Sequence, residues 1–179
     1  ASNNTAVGNA ALVANTTGAS NTAMGHSALA ASTTGTENVA VGMYALDASG
    51  AGTDGSYNVA VGNDALGANT EGQFNVGIGR RALYANTVAD ENTAVGYLAL
   101  MANTTGDSNT AIGVSALQAN TTASDNIAIG NRTMSANTTG TRNIAIGYSA
   151  YTGSDTENDN IAIGYNAMTT NTAGGTTNI

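Results

Sequence analysis

The cassette Asn-(Thr/Val/Ile)-(Ala/Gly)-(Val/Ile/Met)-Gly returns ten times in this chain of 179 residues, opening at Asn4, Asn21, Asn38, Asn58, Asn75, Asn92, Asn109, Asn126, Asn143 and Asn160. Every step is 17 residues except that from Asn38 to Asn58, which is 20. A unit this short cannot bury enough apolar surface to stand alone, so a fixed period of this kind implies coils stacked on one another, the solenoid plan. No change in composition marks a boundary, and residues 1–179 read as a single array. Because Asn178-Ile179 starts a further cassette, the chain is expected to be a segment of a longer fibrous protein.

Within each period the cassette alternates β-branched and small residues, as in Asn126-Ile127-Ala128-Ile129-Gly130, which is the period of two that defines a strand. A second extended stretch is expected through the Ala-Leu pair, whose apolar column runs Leu12, Leu29, Leu46, Leu66, Leu83, Leu100, Leu117, Met134, Tyr151 and Met168. Asn-Thr-Thr-Gly turns at 15–18, 103–106 and 137–140 separate the two. No apolar stripe of period 3.6 persists through these blocks, and Pro is absent, which suits strands whose N–H groups all pair. The expected fold is all-β, a parallel β-roll or β-solenoid of about ten 17-residue coils. At about 4.8 Å per coil the rod is roughly 48 Å long.

The expected core is the two cassette residues flanking the central Ala or Gly together with the Leu column, led by Val7, Leu12, Val41, Leu46, Val61, Leu66, Ile78, Leu83, Val95, Leu100, Ile112, Leu117, Ile129, Ile146 and Ile163. The Asn column is expected to form a ladder, each amide bonding its own turn and its copy one coil away. The central cassette position, Ala6, Ala23, Ala40, Ala60, Ala94, Ala111, Ala128, Ala145 and Ala162 with Gly77, is always small and uncharged. Placed on the outside, such a column is expected to be covered by another copy of the chain, a subunit interface.

Composition removes several classes of function. Twelve acids against four Arg give a net charge of −8, which disfavours nucleic acid and anionic membranes as partners. Cys is absent, so neither disulfides nor thiolate metal sites are available. No apolar run is long enough to span a membrane.

The cassettes at 38–42, 126–130 and 160–164 resemble the Ser-Val-Ala-Ile-Gly repeats of YadA-like heads in trimeric autotransporter adhesins, and similar repeats occur in phage tail-fibre proteins. The resemblance covers essentially the whole chain. It implies a left-handed parallel β-roll, three chains around an axis, serving as the head or shaft of an extracellular adhesin or virion fibre. The repeat here is longer than the usual adhesin coil, which keeps a monomeric roll and an end-to-end polymer open as alternatives.

Catalytic chemistry is hard to assemble. His26 is the only histidine and lies at a variable position, while Asp47, Asp54, Asp64, Asp90, Glu91 and Asp107 fall in turns or variable positions, so no enzyme activity, cofactor or metal is expected. The acidic stretch 155–159 lacks the Gly and distal Glu of a calcium loop. Tyr57 and Phe74 precede successive Asn residues and are expected one coil apart, an aromatic pair able to stack on a sugar. The insertion around Gly50-Ala51-Gly52 is the one large irregularity, and such loops carry specificity on rigid scaffolds. The Arg80-Arg81 doublet is expected to pair with acids such as Glu71. Sequons at Asn15, Asn103, Asn120 and Asn137 would accept glycans in a secretory pathway and otherwise are turns. Three functions compete: a homo-oligomeric, trimeric adhesive fibre segment contacting a host glycan or protein; a homopolymeric filament; and ice binding through Thr ladders, which Asp54, Glu71, Val88 and Ala173 interrupt.

Overall fold

The computed structural model describes residues 1–48, 55–153 and 156–169. They form ten strands: β1 (Thr5–Val7), β2 (Thr22–Met24), β3 (Val39–Val41), β4 (Val59–Val61), β5 (Val76–Ile78), β6 (Thr93–Val95), β7 (Thr110–Ile112), β8 (Ile127–Ile129), β9 (Ile144–Ile146) and β10 (Ile161–Ile163). All ten lie in one parallel sheet in sequence order, and each central cassette residue pairs with its copy in the next coil. The chain is a β-solenoid, without helix among the described residues. The 20-residue step leaves the sheet undisturbed: Ala40 still faces Ala60. The Gly50-Ala51-Gly52 insertion itself lies outside the described residues.

The cassette faces are the reverse of the sequence expectation. Ala23, Ala40, Ala60, Ala94, Ala111, Ala128 and Ala145 are wholly buried, Ala162 nearly so, and only Ala6 in the first coil is exposed. The column expected at a subunit interface is therefore covered by the chain's own coil, where it clusters with the Leu column. The flanking residues point outward: Val7, Ile78, Ile112, Ile146 and Ile163 are exposed, and Val41, Val61, Val95 and Ile129 are half-exposed. The thickness of the coil explains the inversion. At Gly77 an added Cβ would lie 3.3 Å from Leu66 Cγ and 3.2 Å from the Ala82 carbonyl oxygen. A methyl just fits between strand and Leu column, and a branched side chain does not.

The Ala-Leu stretch is a turn, not a second strand. Its Leu residues have positive φ, between 49° and 52°, as do the residues two places before them, such as Tyr44 at 59° and Arg81 at 57°. Left-handed conformations of non-glycine residues cost about 1–2 kcal/mol each. Here they are imposed by stacking, because Leu29 N–H donates to Ala45 O and Leu46 N–H to Ala65 O, each 3.0 Å, coil to coil. Leu29, Leu46, Leu66, Leu83, Leu100, Leu117, Met134 and Tyr151 are buried, while Leu12 and Met168 in the outermost coils are partly so.

Candidate functional site

Two Asn ladders hold the coils in place. In the cassette ladder each Asn Oδ1 accepts the backbone N–H of the next Asn, as from Asn21 to Asn4 at 2.8 Å and from Asn75 to Asn58 at 2.9 Å. From Asn4 to Asn143 each Nδ2 donates to a carbonyl 14 to 17 residues on, such as Gly72 from Asn58 at 2.8 Å and Gly106 from Asn92 at 2.9 Å, while that of Asn160 donates to Asn143 Oδ1 and Tyr151 Oη. From Asn21 to Asn160 these amides are buried, and Asn4 is half-buried.

The second ladder escaped the sequence reading. Asn69, Asn86, Asn103, Asn120 and Asn137, each three residues after the column residue, are buried too. Asn86 Nδ2 donates to Asn69 Oδ1 at 2.8 Å, and Asn120 Nδ2 to Asn103 Oδ1 at 2.9 Å. Each also caps its own turn, as Asn103 does to Gly106 O at 2.9 Å. Glycan attachment at the sequons of Asn103, Asn120 or Asn137 would break this ladder. The following Thr hydroxyls are engaged as well: Thr70 donates to Thr87 O at 2.9 Å and Thr104 to Thr121 O at 3.0 Å. That leaves this Thr column without the free, outward hydroxyl array that ordering ice would need.

The outward surface of the sheet is the largest regular feature. Its two columns, the residues on either side of each central Ala or Gly, hold only Thr, Val, Ile and Met. Ile163 is 66% exposed, Val7 52% and Met24 47%, and even inside the array Ile78 and Ile112 are 39% exposed. Beyond five of the ten cassette Gly residues the strip continues into Met43, Tyr97, Val114, Tyr148 and Tyr165, all exposed, with Tyr148 and Tyr165 stacked at 5.5 Å; beyond the others stand Asn9, His26, Asn63, Arg80 and Asn131.

Tyr57 and Phe74 do stack, with centroids 5.0 Å apart and planes within 5°, both exposed and both at positive φ. His26 is exposed and meets Tyr44 edge-on at 5.3 Å. Arg81 pairs with Asp64 at 3.4 Å, not with Glu71, because Asp64 occupies the same place one coil earlier. Its guanidinium lies 5.1 Å from the Tyr84 ring, and Arg80 lies 5.8 Å from that of Tyr97. Arg142 and Asp159 form a two-pronged pair at 2.6 and 2.9 Å that holds the carboxyl of Asp159 below its ordinary pKa. Of the acids considered, Asp54 and Asp155 lie outside the described residues. Among the described residues no three His, Cys, Asp or Glu are grouped to hold a metal, and no helix is long and apolar enough to cross a membrane.

Asp47 is the exception among the acids. It is 8% exposed, and burial raises its pKa above the ordinary carboxylate value, with His26 acting in the opposite sense and Asp64 in the same. No protein-family model, curated protein or solved structure matches the chain.

Proposed function

We propose that this chain is a rod-like segment of a non-enzymatic extracellular fibre, of the adhesin-head or tail-fibre kind, in which three copies stand side by side with their sheet faces inward. The observation that carries the reading is the uncharged outer face of the sheet. Twenty positions on ten strands face outward without one acid, Lys or Arg, in a chain whose net charge is −8. An ordinary solvated strand face admits charges freely, and none of these positions shapes the coil interior. The uncharged strip spans the two flanking columns, about 7 Å wide and about 48 Å long on strand spacings, roughly 300 Å² in projection, and is bordered by the column after Gly, which includes His26 and Arg80. The ~800 Å² per partner of a standard interface is reached only with the bordering mixed column buried as a polar rim around this apolar strip. The adhesive role comes from the resemblance of the cassettes to adhesin heads and from the exposed aromatic pairs.

The test is light scattering of the purified chain at two concentrations, alongside a variant carrying Ile112→Lys and Ile129→Lys. A discrete mass of three 17.6 kDa chains, reduced to one by the double variant, is the expected result. Long unbranched filaments in negative stain would favour end-to-end polymerisation. A stable monomer would overturn the reading of this face, and thermal hysteresis from that monomer would favour ice binding despite the engaged Thr hydroxyls.

A further inference from the structure

One place in the solenoid is hollowed. Asp47, Gly67 and Tyr84 occupy the same position in three consecutive coils, directly after Leu46, Leu66 and Leu83. Since Gly67 has no side chain, the Tyr84 ring lies against its backbone: an added Cβ would be 3.2 Å from the ring carbons. The result is a groove of about 540 Å³ lined by Ser27, Tyr44, Asp47, Asp64, Gly67 and Tyr84.

The walls are held from behind. Asp64 is fixed by Arg81, Arg81 by the Tyr84 ring, and Tyr44 by the His26 edge. Asp47 is not held in this way. Asp47 is more than nine-tenths buried as a residue and lines the groove, and its carboxylate oxygens, open to the groove, have no hydrogen-bond donor among the described residues. A carboxylate partly withdrawn from water and without a protein donor is poorly solvated, and a group that supplied donors from the groove would offset that.

The chemistry of the lining narrows the donor. An anion would meet two carboxylates, and an apolar group would leave Asp47 unsatisfied. A cation would have to sit beside the Arg81 guanidinium, which already neutralises Asp64. A neutral ring bearing several hydroxyls suits all of it, since vicinal hydroxyls donate to Asp47 and accept from Ser27 or a Tyr hydroxyl while the C–H face lies on an aromatic ring. We propose that this groove is a subsite for a neutral sugar ring, with Asp47 as its principal acceptor and Tyr84 as its wall. The role of such a site rests on the adhesive reading above. The binding itself does not, because the described lining residues belong to one chain.

The experiment is calorimetric titration and saturation-transfer NMR of the full chain with glucose, galactose, mannose and N-acetylglucosamine, and with tetramethylammonium as a cation probe. About a dozen heavy atoms at modest efficiency give a Kd in the millimolar range. At least one sugar is expected to saturate. Asp47→Ala and Tyr84→Ala should weaken it at least tenfold, Asp47→Asn, which keeps one acceptor oxygen and the shape, should fall between, and Tyr57→Ala should change nothing. The proposal is overturned if no sugar saturates, if Asp47→Ala and Asp47→Asn bind as the parent does, or if tetramethylammonium binds and the sugars do not. Scattering mass recorded on the same samples separates this outcome from that of the assembly test.

Discussion

Removing one amide from the cassette ladder should separate the rod into two halves. Asn92 donates its own N–H to Asn75 Oδ1 at 2.9 Å, and Asn92→Ala keeps that bond. Its side chain makes four others: to Asp90 O at 3.0 Å, to Gly106 O at 2.9 Å, and from Asn109 N–H and Nδ2 at 2.9 and 3.1 Å. Three of the four partners stay paired without it. Asp90 O still accepts from Ser108 N–H, Gly106 O from Asn103, and Asn109 Nδ2 still donates to Ala123 O. Asn109 N–H alone is orphaned, in a wholly buried residue. One orphaned buried donor costs about 1–3 kcal/mol and three bonds with surviving partners about 0.5–1 kcal/mol each, so the loss should be about 2.5–6 kcal/mol. Because coils couple only to their neighbours, the damage concentrates between β6 and β7, and urea unfolding followed by circular dichroism should become biphasic. Hydrogen exchange should show Asn109 N–H losing protection before amides three coils away. A loss under about 1 kcal/mol, with Asn109 protected as in the parent, would refute the reasoning and make the ladder a by-product of apolar stacking.

Three further perturbations test other parts of the structure. Ala94→Val should cost about 1–3 kcal/mol by overpacking the interior, whereas Gly77→Ala, which restores the methyl of the other coils, should be neutral or stabilising by up to about 1 kcal/mol; equal effects in urea denaturation would contradict the assigned facing. Gly96→Ala should destabilise by at least about 2 kcal/mol, since φ is 137° and the new Cβ would lie 2.5 Å from Gly113 O, and an unchanged midpoint would show that the coils separate easily. Asp47 has a raised folded pKa, so the folded state holds its proton more tightly than the unfolded chain. Stability from this group is therefore present at low pH and is lost as pH rises from the ordinary carboxylate value through the raised one. Asp47→Asn should accordingly stabilise the chain more at pH 7 than at pH 3.5, and an equal effect at both would refute the assignment.

The period carried the architecture because 17 residues admit only one strand and its return, and the alternation within Asn126–Gly130 showed which residues share a face. It did not show which face is inside. Size argued for placing Val and Ile inward, but the width of the coil is set across the molecule, by Leu66 approaching the strand at Gly77, a distance no local pattern encodes. The left-handed turn at the Leu column was equally hidden, since Leu prefers other conformations in isolation and is held there by bonds to the next coil. The second Asn ladder had a signal, an Asn three residues after Leu66, Leu83, Leu100, Leu117 and Met134, which resembles an ordinary turn residue until its burial is known. The groove was out of reach, because Asp47, Gly67 and Tyr84 fall 17 to 20 residues apart and only stacking makes them neighbours.

The sheet keeps its register across the long coil, Ala40 opposite Ala60, as it does across every 17-residue coil. Reach and ornament are thus separately heritable. Duplication or loss of one period by recombination between near-identical repeats would change the rod by a single rung of about 4.8 Å and leave every other contact as it was. An insertion out of phase with the period, like the three extra residues between Asn38 and Asn58, leaves the strand pairing on either side of it in register. A lineage carrying such a chain could tune how far it extends and what it displays by two unlinked kinds of mutation.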